Sequence, residues 1–96
     1  VKMDCKHDGC DLTKKLTAKL SRIEGQVRGV NKMVQEERTC EDILVQLSAI
    51  TKALEGVAKD LLGHHINHCV VDSIENGNVK EMLEKLQVAV EYYSKI

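Results

Sequence analysis

Apolar positions recur along most of the chain at intervals of three and four, the spacing that turns one side of an α-helix toward a core. From Thr39 to Val71 the series Ile43, Leu47, Ile50, Leu54, Val57 and Leu61 runs without a proline, which predicts one long amphipathic helix. Thr39 followed by Asp42 marks its start: the hydroxyl accepts an otherwise unpaired backbone N–H, and the carboxylate lies at the positive end of the helix dipole. An earlier series, Leu12, Leu16, Leu20, Ile23, Val27, Val30 and Val34, predicts a first helix over 12–34 with heptad spacing. Val79, Met82, Leu83, Leu86, Val90 and Tyr93 predict a short third helix beyond a break at 74–77. In that break Gly77 suits a left-handed cap, and Asn78 with Glu81 forms a second capping signal. Residues 1–11 have no apolar period and read as a flexible arm, leaving 12–96 as a single helical domain. Gly25 and Gly29 each cost about 1 kcal/mol relative to alanine inside a helix, a cost that either a close approach by another helix explains or the helix merely tolerates.

Placing the ligand-type side chains on the long helix changes the picture. At about 100° per residue, His65 falls about 20° to one side of Cys40 and Cys69 about 20° to the other, so the three share the apolar stripe. His64 and His68 fall about 120° and 80° away, at the flank. Along a straight helix Cys40 and His65 are about 37 Å apart, whereas metal–ligand bonds measure about 2.0–2.3 Å. One subunit cannot close such a site. Two antiparallel copies can, and two-fold symmetry then builds it twice. Singly, a cysteine is commonly a small core hydrophobe and a histidine on an apolar face a hydrogen-bonded core residue. The shared angular window of all three favours ligation. Two thiolates and one imidazole are soft donors, suited to Cu(I) or Zn(II); a structural zinc site wants a fourth ligand, so three donors favour Cu(I). In the arm, Cys5, His7 and Cys10 are candidate extra ligands at looser spacing than a paired CxxC.

Composition supports an oligomer. With no Trp, no Phe and two Tyr, the core must come from aliphatic side chains, and a small chain buries a limited fraction of its surface alone. The formal net charge is only −1, but its distribution is uneven. Between Leu12 and Val34 the bases are Lys14, Lys15, Lys19, Arg22, Arg28 and Lys32, against the single acid Glu24. Lys15, Lys19, Arg22 and the uncharged Gln26 form a polar ridge beside the apolar stripe. A basic run of this kind is either a solvated face or a phosphate-binding one repeated by the symmetry of an oligomer. No run of about 18 apolar residues and no secretory leader is present, so a cytoplasmic protein with reduced thiols and no membrane partner is expected. There is no nucleotide-binding glycine loop or catalytic serine motif. A reactive Cys40 at a helix start would lack a recognisable base and oxyanion donors, so an enzyme is not expected.

The basic heptad helix with RIEGQVRG, the TCEDILVQLSAI start of the long helix, and the ending His65-x-x-x-Cys69 resemble the CsoR/RcnR family of metal-sensing transcriptional repressors, from about Leu12 to Tyr93. Cys40, His65 and Cys69 match the Cys, His, Cys pattern of its copper-sensing branch; the nickel/cobalt branch has His where Cys69 stands. The resemblance implies an all-α fold: a three-helix subunit with a long central helix, an antiparallel dimer forming a four-helix bundle, and dimers joining as a homotetramer. It also implies Cu(I) held between subunits and double-stranded operator DNA released on copper binding. Lys15, Lys19, Arg22, Arg28 and Lys32 are the expected DNA contacts, with Lys52 as an addition. Copper sensors of the family often carry Tyr immediately before the first Cys, linked to a Glu on the third helix; here Thr39 stands there, with Glu81 and Glu84 as candidate acids. The alternatives are a Ni(II)/Co(II) or Zn(II) sensor of the same family, or a copper buffer without DNA binding.

Overall fold

A computed structural model describes residues 9–96 of the chain, and among them all regular structure is helical. Three helices follow in order: α1 over Gly9–Gln35, α2 over Cys40–Asn76 and α3 over Val79–Tyr93. The first begins three residues before the expected 12–34 helix, so residues 9–11 of the expected arm are helical, with Asp11 in a first turn where its charge complements the dipole. The second is unbroken over 37 residues and runs to Asn76, which narrows the expected break at 74–77 to the single step around Gly77.

The described residues divide into two compact units, one ending at Val57 and the other Ala58–Ile96. In the first, α1 and the opening of α2 are joined by residues 36–39, a connection short enough to make them an αα-hairpin. The end of α1 is a Schellman closure: Arg38 N–H donates to the Met33 carbonyl at 3.0 Å and Glu37 N–H to the Val34 carbonyl at 3.1 Å. That closure needs a left-handed residue, and Glu37 supplies it with φ 56°. Thr39 then starts α2 as its sequence signal predicts, its hydroxyl accepting from Asp42 N–H at 3.3 Å. Leu16, Ile23 and Ile50 are the buried apolar side chains of this unit. Other positions of the same stripes are open: Leu20, Val27 and Val34 on α1, Leu47 and Leu54 on α2. An added Cβ at Gly25 or Gly29 would meet nothing within 4 Å, so no close approach among the described residues accounts for either glycine.

In the second unit α2 ends in Gly77, left-handed at φ 68°, whose N–H donates to the Ser73 carbonyl at 2.8 Å. The expected Asn78/Glu81 capping box does not form: Asn78 makes no side-chain cap bond. Its Nδ2 donates instead to Asp72 at 3.3 Å, and Asn76 Nδ2 donates to the other oxygen of the same carboxylate at 2.7 Å. Hydrogen bonds to a charged acceptor are stronger than those between neutral groups, so the corner closes on the Asp72 carboxylate. Cys69 and Ser73 are buried, whereas α3 buries no residue.

The two left-handed positions give a paired expectation. Glu37→Gly removes the penalty of a side chain at positive φ and should raise unfolding stability by about 0.5–1 kcal/mol; Gly77→Ala introduces that penalty and should lower it by about 1–2 kcal/mol. Urea titrations followed by helical circular dichroism measure both.

Candidate metal centre and nucleic-acid interface

Two of the three predicted ligands meet one turn apart on α2. Cys69 Sγ lies 3.6 Å from His65 Nε2 and 3.8 Å from Nδ1, nearly equidistant from the two ring nitrogens. A modest ring rotation therefore turns either nitrogen toward an ion that the sulfur also reaches. Donors about 2.0 and 2.3 Å from a common ion stand no more than about 4.3 Å apart, and this pair is inside that limit. His65 is half-buried and Cys69 is 8% exposed, which removes competing water from the sulfur. Both Cys40 and Cys69 are free thiols, and Cys40, at the first position of α2, is exposed. Among the described residues of the chain, no group of three or more His, Cys, Asp and Glu is close enough to hold a metal ion. Within the second unit, α2 brings one thiol and one imidazole together as a soft donor pair.

The other predicted site residues are placed as follows. Cys5 and His7 lie outside the described residues; Cys10 is in the first turn of α1, and its side chain lies outside them as well. Glu81 is engaged by Lys85 at 3.2 Å, and Glu84 is exposed. On α1, Lys14, Lys15, Arg22, Arg28 and Lys32 are exposed and Lys19 is half-buried; Lys52 on α2 is exposed. Arg28 donates to Glu24 at 3.0 Å in an ion pair with both side chains about three-quarters exposed, a pairing weak enough for a phosphate to compete with. Of the ridge, Lys15 and Arg22 face solvent, whereas Lys19 is half-buried. Gln26 is half-buried as well, and its Oε1 has no hydrogen-bond partner among the described residues.

Two features are not evident from the sequence pattern. The Asp72 clasp with Asn76 and Asn78 is obscured by the more familiar capping signal, although the i, i+4 spacing of 72 and 76 is visible. His64 and His68, which the helical count places at the flank, stack with ring centroids 6.2 Å apart and planes 13° from parallel. No helix among the described residues is long and apolar enough to cross a membrane.

Residues 12–92 match the family described as metal-sensitive transcriptional repressor. The chain is 48% identical over 71 residues to the copper-sensing transcriptional repressor CsoR of Bacillus subtilis, covering 74% of this chain and 70% of that protein. It is also 48% identical over 59 residues to the copper-sensing repressor RicR of Mycobacterium tuberculosis, covering 62% of each. Identity to the repressor RcnR of Salmonella typhimurium is 30% over 81 residues, 84% of this chain and 90% of that one. Among solved structures, CsoR with Cu(I) from Geobacillus thermodenitrificans matches with a TM-score of 0.78 at 46% identity, covering 84% of both chains. The nickel-responsive regulator InrS matches with a TM-score of 0.79 at 41% identity, covering 83% of this chain and 90% of that one. The all-α, three-helix architecture expected from the apolar pattern is therefore shared with these regulators, and the relatives are transcriptional repressors, not enzymes. With a thiol and an imidazole meeting on α2, a basic α1, and a match running through nearly every described residue, the chain belongs to the metal-sensitive transcriptional repressor family.

Proposed function

We propose that this protein is a Cu(I)-responsive repressor that binds double-stranded operator DNA in the metal-free state and is released when Cys40 of one subunit and His65 and Cys69 of another take up the ion. The observation that carries the proposal is the His65–Cys69 approach at 3.6 Å, a soft half-site that lacks its third donor. Cys40 and His65 are separated along an unbroken α2 by a rise of about 37 Å, so the third donor comes from a second copy. The exposed Leu47 and Leu54 stripe supplies an apolar surface for that copy, in an antiparallel homodimer that pairs again as a tetramer. Bound Cu(I) would supply the thiolate-avid cation that ties the three donors together.

Lys15, Lys19, Arg22, Arg28 and Lys32 bind phosphates of the duplex, with Lys52 contributing from α2. Drawing Cys40 to the half-site of a second copy changes the relative placement of the α1 surfaces, and linkage then requires DNA to weaken metal binding by the factor with which the metal weakens DNA binding. Reduced thiols suit a cytoplasmic location. One observation favours a second reading: a nickel-responsive regulator shares the fold as closely as a copper sensor does, so the fold does not choose the metal. Donor softness and the higher identity to copper sensors support Cu(I) over Ni(II), Co(II) or Zn(II).

The deciding measurement is anaerobic affinity for the DNA upstream of the protein's own coding region, without metal and with Cu(I), Ni(II) or Zn(II). Cu(I) alone should lower that affinity by at least about tenfold, a coupling of roughly 1.4 kcal/mol. Release by Ni(II) alone would support the second reading. Absence of any DNA binding would leave a metal buffer.

A further inference from the structure

The segment His64 to Cys69 carries two interleaved i, i+4 pairs, and only one of them belongs to the thiolate half-site. By the helical count His64 and His68 lie about 40° from each other, and His68 is about 100° from Cys69, so the second pair occupies its own face of α2. The rings stand side by side, with centroids 6.2 Å apart and planes within 13°. His64 is half-buried and His68 exposed, so both can be reached from water. Asp60 and Asp72 extend the same i+4 ridge one turn to either side, adding negative charge to the approach. The Asp72 carboxylate is already held by Asn76 and Asn78.

We propose that His64 and His68 form a second cation site, open and bidentate, that takes a borderline divalent ion such as Zn(II) or Ni(II). Two nitrogens each about 2.0–2.1 Å from one ion stand at most about 4.2 Å apart, and helix positions four apart place Cβ atoms about 5–6 Å apart. Rotation of the two rings about their side-chain bonds therefore brings one nitrogen of each onto a common ion without moving the backbone. With imidazole donors and no thiolate, the face selects ions of the zinc and nickel kind over Cu(I), and over hard ions that need oxygen ligands. Among the described residues of one chain no third ligand completes the set, so the remaining positions hold water and the ion exchanges readily. An ion bridging His64 and His68 also fastens the helical turn on which His65 stands. The inference is independent of the Cu(I) reading, since neither histidine takes part in that site.

The test uses the full chain carrying Cys40→Ser and Cys69→Ser, labelled at histidine nitrogens and titrated with Zn(II) alone. The ring signals of His64 and His68 should shift together and saturate at one ion per chain. Either His64→Gln or His68→Gln should weaken that binding by at least about tenfold, since a chelate becomes a single bond. In the chain with both cysteines restored, the same variants should leave Cu(I) affinity within about twofold. Unmoved His64 and His68 signals, or single variants that keep the parental Zn(II) affinity, would overturn the assignment.

Discussion

Cys69→Ala is expected to lower Cu(I) affinity by at least about a thousandfold, roughly 4 kcal/mol, while metal-free DNA binding stays within about twofold. The sulfur is the buried member of the His65–Cys69 pair, and its loss leaves the proposed site one thiolate and one imidazole for a cation that prefers thiolates. Cys40→Ala should do the same although its side chain is exposed. Competition against a Cu(I) chelator under anaerobic conditions measures both. Mixing the two variants then tests where the donors come from. In a mixed dimer the Cys40→Ala chain keeps His65 and Cys69, and the Cys69→Ala chain keeps Cys40. A shared site therefore recovers one tight Cu(I) per mixed dimer, whereas a site within one chain recovers none. Failure of the mixture to recover tight binding, with mixed dimers present, would refute the shared site.

The second large effect concerns DNA. Lys19→Ala combined with Arg22→Ala should weaken duplex binding by about tenfold or more and flatten its salt dependence. Every phosphate that is no longer neutralised takes about 0.9 from the slope of log affinity against log salt, and the symmetry of an oligomer multiplies the effect. Arg28→Ala should cost less, because its guanidinium is divided between phosphate and Glu24. Glu24→Gln should act in the opposite direction, tightening DNA binding a few-fold by releasing Arg28 and removing the one acid of that helix face. Fluorescence anisotropy with labelled duplex across a salt series reads all of these variants. An unchanged slope in the double variant would remove α1 from the interface.

The helices and the angular alignment of Cys40, His65 and Cys69 are legible in the sequence because both follow from one period. A 3.6-residue repeat without proline leaves few other ways to bury Ile23 or Ile50. Thr39 as a cap and Gly77 as a left-handed stop are equally local, each depending on a residue's own backbone preference. Glu37 is not legible, because nothing in a glutamate announces positive φ; the hydrogen bonds closing α1 impose it. Asn78 departs from its expected role for a related reason. Its sequence neighbour Glu81 offers a cap, but the folded corner brings the Asp72 carboxylate within reach, and the charged acceptor prevails.

By itself the amino-acid order determined the three-helix plan, the basic character of α1, and the spacing of Cys40, His65 and Cys69, the proposed ligands, along a helix too long to fold back on itself. Those properties depend on spacing and side-chain chemistry, which are the same in any conformation that keeps the helix. Only the tertiary structure decided which thiol is buried, which carboxylate closes the corner, and which members of the apolar stripes stay exposed, Leu47 and Leu54 among them. Burial and pairing are set by what stands opposite each residue in space, and a one-dimensional pattern records the face a side chain occupies but not its neighbour.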